Sequence, residues 1–191
     1  MRVTYWEIPP EGMINALKSD FRELLDWYVE IGREQPADID KDLMKQMQMV
    51  SDPDDLLHQC DKKYLDKLID VYAGEYCDFR PGRIKEIPET SWIHIRNYIR
   101  DADLIRKAVS AEVNELWQFI LKGRSFVDPN QAYSADDHSH FCFLEESECV
   151  FLVDELLAKF HLEAFGLHSG ISALVDAIRK KNEAGMLILV G

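Results

Sequence analysis

Apolar residues in this chain recur mostly at three- and four-residue spacing, so helices are expected to dominate, and the segments that break that rhythm are short. Residues 1–8 alternate loosely, with Val3, Tyr5, Trp6 and Ile8 among polar neighbours, and predict a short strand ended by Pro9-Pro10. Over 11–33 the residues Ile14, Leu17, Phe21, Leu24, Leu25 and Tyr28 share one helical face. Gln35-Pro36 closes that helix, because proline disfavours helical backbone at the residue before it. A methionine-rich helix is expected over 40–50. Ser51-Asp-Pro-Asp-Asp then reads as a cap with proline in the first turn. The helix it opens runs to about Tyr72, burying Leu57, Cys60, Tyr64, Leu68 and Tyr72, and stops at Ala73-Gly74.

Residues 75–89 are irregular and mark a boundary or a long connection. Thr90 or Ser91 is expected to cap a helix holding Trp92, Ile95 and Ile99, followed by a short helix over 101–109. From Ser110 a further helix turns Val113, Leu116, Trp117 and Ile120 inward, with Gly123 as its stop. A polar loop over 124–137 leads into an expected strand at 138–144. Glu145-Glu146 then opens a helix to about Phe160, acid in the first turn complementing the helix dipole. Ser169 caps a last helix with Ile171, Leu174, Val175 and Ile178 inward, and Arg179, Lys180 and Lys181 fall in its final turn. Met186–Val190 is apolar at every position, the signature of a central strand covered on both sides. About seven helices and three short strands follow from this pattern. The expected fold is α+β: a mostly helical single domain over 1–191 with a small three-stranded sheet whose C-terminal strand is central. It is divisible into a helical part (1–74) and an α+β part (90–191).

Charge changes this picture by being localised. The formal net charge is −13, and between Ser125 and Glu163 nine acidic residues face one base, Lys159, a net of −8. Such a field repels phosphate and attracts cations or basic partners. The only basic-leaning stretch, Asp78 to Lys107, carries seven bases interleaved with five acids, too weak a surface to track a nucleic-acid backbone. Met1-Arg-Val-Thr-Tyr-Trp has no apolar run of the signal-peptide kind, and no apolar run exceeds five residues where a spanning helix needs roughly 20, so a cytoplasmic protein without membrane contact is expected. Hydrophobic content of 47% suffices for a real core. Four cysteines without a C-x-x-C pair read as reduced, buried thiols.

Candidate chemistry is sparse. If 138–142 is extended, His138, His140 and Cys142 share one face and could begin a zinc site, with Asp136 as a further ligand. A strand edge with two histidines and a buried cysteine explains the same residues. His-x-His-x-Cys also lacks the paired ligand spacing of structural zinc modules. No Gly-x-Ser-x-Gly elbow and no phosphate-binding glycine pattern occurs. Leu167-His-Ser-Gly170 reads as a helix cap rather than a nucleophile pair.

From about Leu116 the chain resembles the YfbM-like family of small bacterial proteins of unknown function. The carriers are Trp117-Gln-Phe-Ile-Leu-Lys-Gly123, the segment Phe141–Leu144 running into Glu145-Glu-Ser-Glu-Cys-Val-Phe-Leu, and the closing Ala173-Leu-Val-Asp-Ala-Ile-Arg-Lys-Lys-Asn-Glu-Ala-Gly-Met-Leu-Ile-Leu. The resemblance spans roughly 75 residues; it implies an α+β fold and a bacterial origin, and transfers no catalytic residue.

Two functions remain as expectations. The first is a non-catalytic protein-binding module, an immunity-type inhibitor that meets a basic toxin through Asp136, Asp137, Glu145, Glu146, Glu148 and Glu155, with no cofactor. The alternative is a metal-dependent enzyme, holding zinc at His138, His140 and Cys142.

Overall fold

The computed structural model describes residues 1–9, 11–37, 39–77, 84–87, 90, 93–133, 140–165, 169–181 and 185–191. The chain divides into two compact units, Glu11–Ile84 and Met1–Pro10 with Lys85–Gly191. The helical part therefore begins only at Glu11, because the first strand is hydrogen-bonded into the sheet of the other unit.

The helical unit opens with α1 (Met13–Glu34) and α2 (Lys41–Met49). Asp40 caps α2 by accepting from the Asp42 and Leu43 N–H groups, and its carboxylate also holds Lys67. That ammonium beside it keeps the Asp40 carboxyl below its ordinary range. The single helix expected over 51–72 is instead broken into a 3₁₀ turn (Pro53–Asp55), α3 (Leu56–Gln59) and α4 (Lys62–Val71). The break falls where Asp61 turns its carboxylate onto the Lys63 N–H and starts a new helix. The new phase buries Leu56 and leaves Leu57 43% exposed, opposite to the expected facing. Nor does the chain stop at Ala73-Gly74: a π-helical turn carries it through Tyr72–Tyr76. Tyr72 and Tyr76 stack with centroids 5.9 Å apart and donate to two α1 carboxylates, Asp20 at 2.5 Å and Glu23 at 3.3 Å.

The α+β unit is built on a sheet in the order β2-β1-β5-β4, with β3 also on β1, and all its pairings are antiparallel. Its strands are β1 (Arg2–Ile8), β2 (Lys85–Glu86), β3 (Ile93–His94), β4 (His140–Leu144) and β5 (Gly185–Val190). Among the described residues five strands thus replace the expected three. The two extra ones are two-residue pairings with β1 that carry no alternating pattern of their own. The C-terminal strand is central, between β1 and β4. Val3, Tyr5, Cys142, Leu144, Met186, Ile188 and Val190 fall on one sheet face by the period of two, and all belong to one core cluster.

Four helices complete that cluster: α5 (Ile95–Ala108), α6 (Ala111–Lys122), α7 (Glu146–Lys159) and α8 (Gly170–Lys180). The two helices expected between 90 and 109 are one. It is capped by His94, whose Nδ1 accepts the Arg96 N–H at 3.1 Å. Its buried face runs Ile95, Tyr98, Asp101, Ile105, which leaves Ile99 56% exposed. Trp92 lies outside the described residues. In α6 and α8 every residue expected inward is buried. Gly123 ends α6 at φ +80°, and a Cβ there would stand 1.6 Å from the Tyr133 carbonyl oxygen, so no other residue fits without moving that loop.

Candidate functional site

The expected site residues surround β4 and the start of α7, and the structure sorts them by the bonds they make. Asp136, Asp137 and His138 lie outside the described residues. His140 opens β4 at 8% exposure, and its Nε2 lies 3.0 Å from the Ile120 carbonyl oxygen. Burial lowers its pKa, so the ring is neutral at pH 7, Nε2 carries the proton and donates it to Ile120, and Nδ1 keeps the lone pair. Cys142 is fully buried, its Sγ 3.7 Å from the Phe143 carbonyl oxygen. Burial pushes its thiol well above the ordinary range, and the same effect takes Cys149 up to about 12. With no metal bound, both thiols stay protonated. His140 and Cys142 are buried, and among the described residues no three His, Cys, Asp or Glu side chains converge to hold a metal ion.

The organising residue here is Arg124, one position before the acidic segment begins. Its N–H reaches the Phe141 carbonyl at 2.8 Å, which ties the end of α6 to β4. Its guanidinium donates from Nε to Pro129 O at 2.8 Å, and from Nη1 to Phe143 O at 3.2 Å and Glu148 Oε2 at 2.8 Å. The Phe119 and Phe143 rings flank it at 5.0 and 4.8 Å. Burial works against this cation, but the Glu148 carboxylate outweighs it and raises the Arg124 pKa. Glu148 in turn accepts the Glu145 N–H at 2.9 Å at the start of α7. One carboxylate thus closes a helix end and neutralises a buried cation.

Glu155 is likewise engaged. It accepts both the backbone N–H of Ser110 and the Ser110 hydroxyl (2.7 Å), joining α7 to the N-terminus of α6. The same hydroxyl caps α6 through Val113 N. Glu148 and Glu155, expected on the outer patch, are structural acceptors at element joints. Glu145, Glu146 and Asp154 remain as exposed acids at the mouth and outer side of α7.

A buried carboxylate, Asp101, also escaped the sequence reading. Asp101 is 2% exposed and its Oδ2 accepts the Ser169 hydroxyl at 2.7 Å and the Ile171 N–H at 3.3 Å. Ser169 itself caps α8 through Ile171 and Ser172. Asp101 therefore anchors the start of α8 from α5, and its spacing from Ile95, Tyr98 and Ile105, on an apolar helix face, was the available signal. Beside it Tyr5 and Tyr98 share a hydroxyl hydrogen bond of 2.6 Å, and Trp117 Nε1 donates to the Tyr98 carbonyl at 3.3 Å. Burial raises the pKa of both tyrosines far above the physiological range, so this network stays protonated and structural.

Comparison of the chain with protein-family models, curated proteins and solved structures finds no match. No helix among the described residues is long and apolar enough to cross a membrane.

Proposed function

We propose that this protein is a non-catalytic binding module that captures a basic protein partner, and that its mode of action is that of an immunity-type inhibitor masking a basic toxin. The observation that carries the reading is the separation of acids along residues 140–160. Glu148 and Glu155 are spent on internal bonds and Glu145 accepts the Glu148 N–H in the capping box of α7, while Glu146 and Asp154 stay exposed with Lys159 as their only exposed basic neighbour on the helix. His140 and Cys142 are buried and neutral, which supports recognition over chemistry. The resemblance of residues 116–190 to the YfbM-like family lends no site residue to this reading.

Long-range attraction of this kind is screened over about 8–10 Å at moderate salt, so binding is expected to be salt-sensitive. The test is the double variant Glu146→Lys/Asp154→Lys, which leaves the Glu145–Glu148 capping box and the Arg124–Glu148 bond in place. Proteins retained by immobilised wild type should be basic and released by added salt, and the variant should lose them. Retention unchanged by the double reversal would sink the proposal.

A further inference from the structure

α7 is apolar on two sides. Its inner side buries Cys149, Leu152 and Leu156 in the core. Its outer side carries Val150, Phe151 and Leu157 at 54%, 36% and 36% exposure, large side chains that no described residue covers more fully. Val150, Asp154 and Leu157 follow one another at four- and three-residue spacing and so form one stripe, with Phe151, Ser147 and Ala158 alongside. An ordinary surface helix places polar residues on this side. Here three hydrophobics surround an exposed carboxylate, and Glu145 and Glu146 stand exposed at the helix mouth.

We propose that this outer face of α7 is a docking surface for a basic amphipathic helix of a partner protein. Its apolar ridge would lie along Val150, Phe151 and Leu157, and its cations against Asp154 and Glu146. The proposal rests on the reading above that the partner is basic, and adds the surface and the form of the partner. Charge complementarity selects the occupant. A second copy of this chain brings the same acids to the contact, and an anionic lipid surface is repelled by them. Apolar contact supplies the affinity that exposed charge pairs alone do not, and a helix laid along a helix matches the length of the stripe.

The probe is a synthetic peptide of about 18 residues, lysine and leucine only, with leucines at i, i+3, i+4, i+7, against a scrambled peptide of equal composition. Fluorescence anisotropy should give the patterned peptide at least about tenfold tighter binding than the scrambled one. Val150→Ser/Leu157→Ser should remove that advantage and leave the scrambled peptide's weaker, salt-sensitive binding as it was. Asp154→Lys should weaken both peptides, and far-UV circular dichroism should find each variant folded. Equal binding of the two peptides, or a patterned peptide indifferent to the serine pair, overturns the docking face while the charge-based reading stands. Failure of both peptides to bind at low salt overturns both. A wild-type dimer in sedimentation that the serine pair dissolves, or binding to phosphatidylcholine vesicles, assigns the face to another occupant and overturns the proposal.

Discussion

The inner and outer edges of α7 use the same residue type for opposite ends. On the inner edge Glu148 meets a cation whose side chain is 9% exposed, and it also accepts a backbone N–H, so its removal exposes several partners at once. Glu155 has two donors on Ser110. On the outer edge Glu146 and Asp154 face water among exposed hydrophobics. Charge density along a sequence does not distinguish these states. What distinguishes them is whether a donor lies within hydrogen-bond reach in a place from which water is excluded, since a buried unpaired charge costs far more than an exposed pair contributes.

This contrast can be broken most directly at Arg124. Arg124→Ala leaves Glu148 and the Phe143 and Pro129 carbonyls without their donor, and should destabilise the α+β unit by about 4 kcal/mol, read from urea unfolding. An effect under about 1 kcal/mol would place Arg124 with the exposed charges instead. Asp101→Ala removes the acceptor of Ser169 and Ile171 and should cost about 2–3 kcal/mol in the same assay, with Asp101→Asn recovering part of it by keeping one oxygen. Glu155→Ala loses a joint at a half-exposed helix start and should cost about 1 kcal/mol, whereas Glu146→Ala on the outer edge should stay within about 0.5 kcal/mol. Equal effects of the last two would erase the distinction between the edges.

The smallest expected effect is on pH dependence. The folded-state pKa of His140 lies below its ordinary value of 6.5 because of burial. The folded protein thus binds fewer protons here than the unfolded chain, and the contribution of His140 is complete above pH 6.5 and lost as pH falls through the folded pKa. The urea midpoint should drop between pH 7.5 and 5.5 by more in wild type than in His140→Gln. A difference of the opposite sign would show that the ring is charged in the fold.

Much of the architecture was legible where a local rule acts alone. Ser110 and Ser169 cap the helices they precede, Gly123 ends one, and the faces Val113-Leu116-Trp117-Ile120 and Ile171-Leu174-Val175-Ile178 are buried as their spacing requires. The reading failed where two local rules competed. Leu56 and Leu57 both suit a helix face, and the short helix ahead of Asp61, no longer in phase with the one that follows, buries Leu56. β2 and β3 are too short to alternate, and they are strands only because β1 lies beside them. Of the candidate site, the exposed acids Glu145 and Glu146 kept the character that their sequence suggests. Glu148, Glu155 and His140 are instead bonded to partners 20 to 45 positions away, which no local pattern reveals, and Cys142 is buried in the core.

By itself the sequence determined the mostly helical α+β class, the central place of the C-terminal strand, the caps of α6 and α8 and the location of the negative charge. Each of these follows from residues within one or two turns of one another. Only the tertiary structure decided which acids are bonded internally and which stay exposed, that Arg124 and Asp101 lie buried as anchors, and that α7 turns an apolar face outward. These depend on which distant groups meet in the absence of water, where the strength of a hydrogen bond and the cost of lacking one both rise.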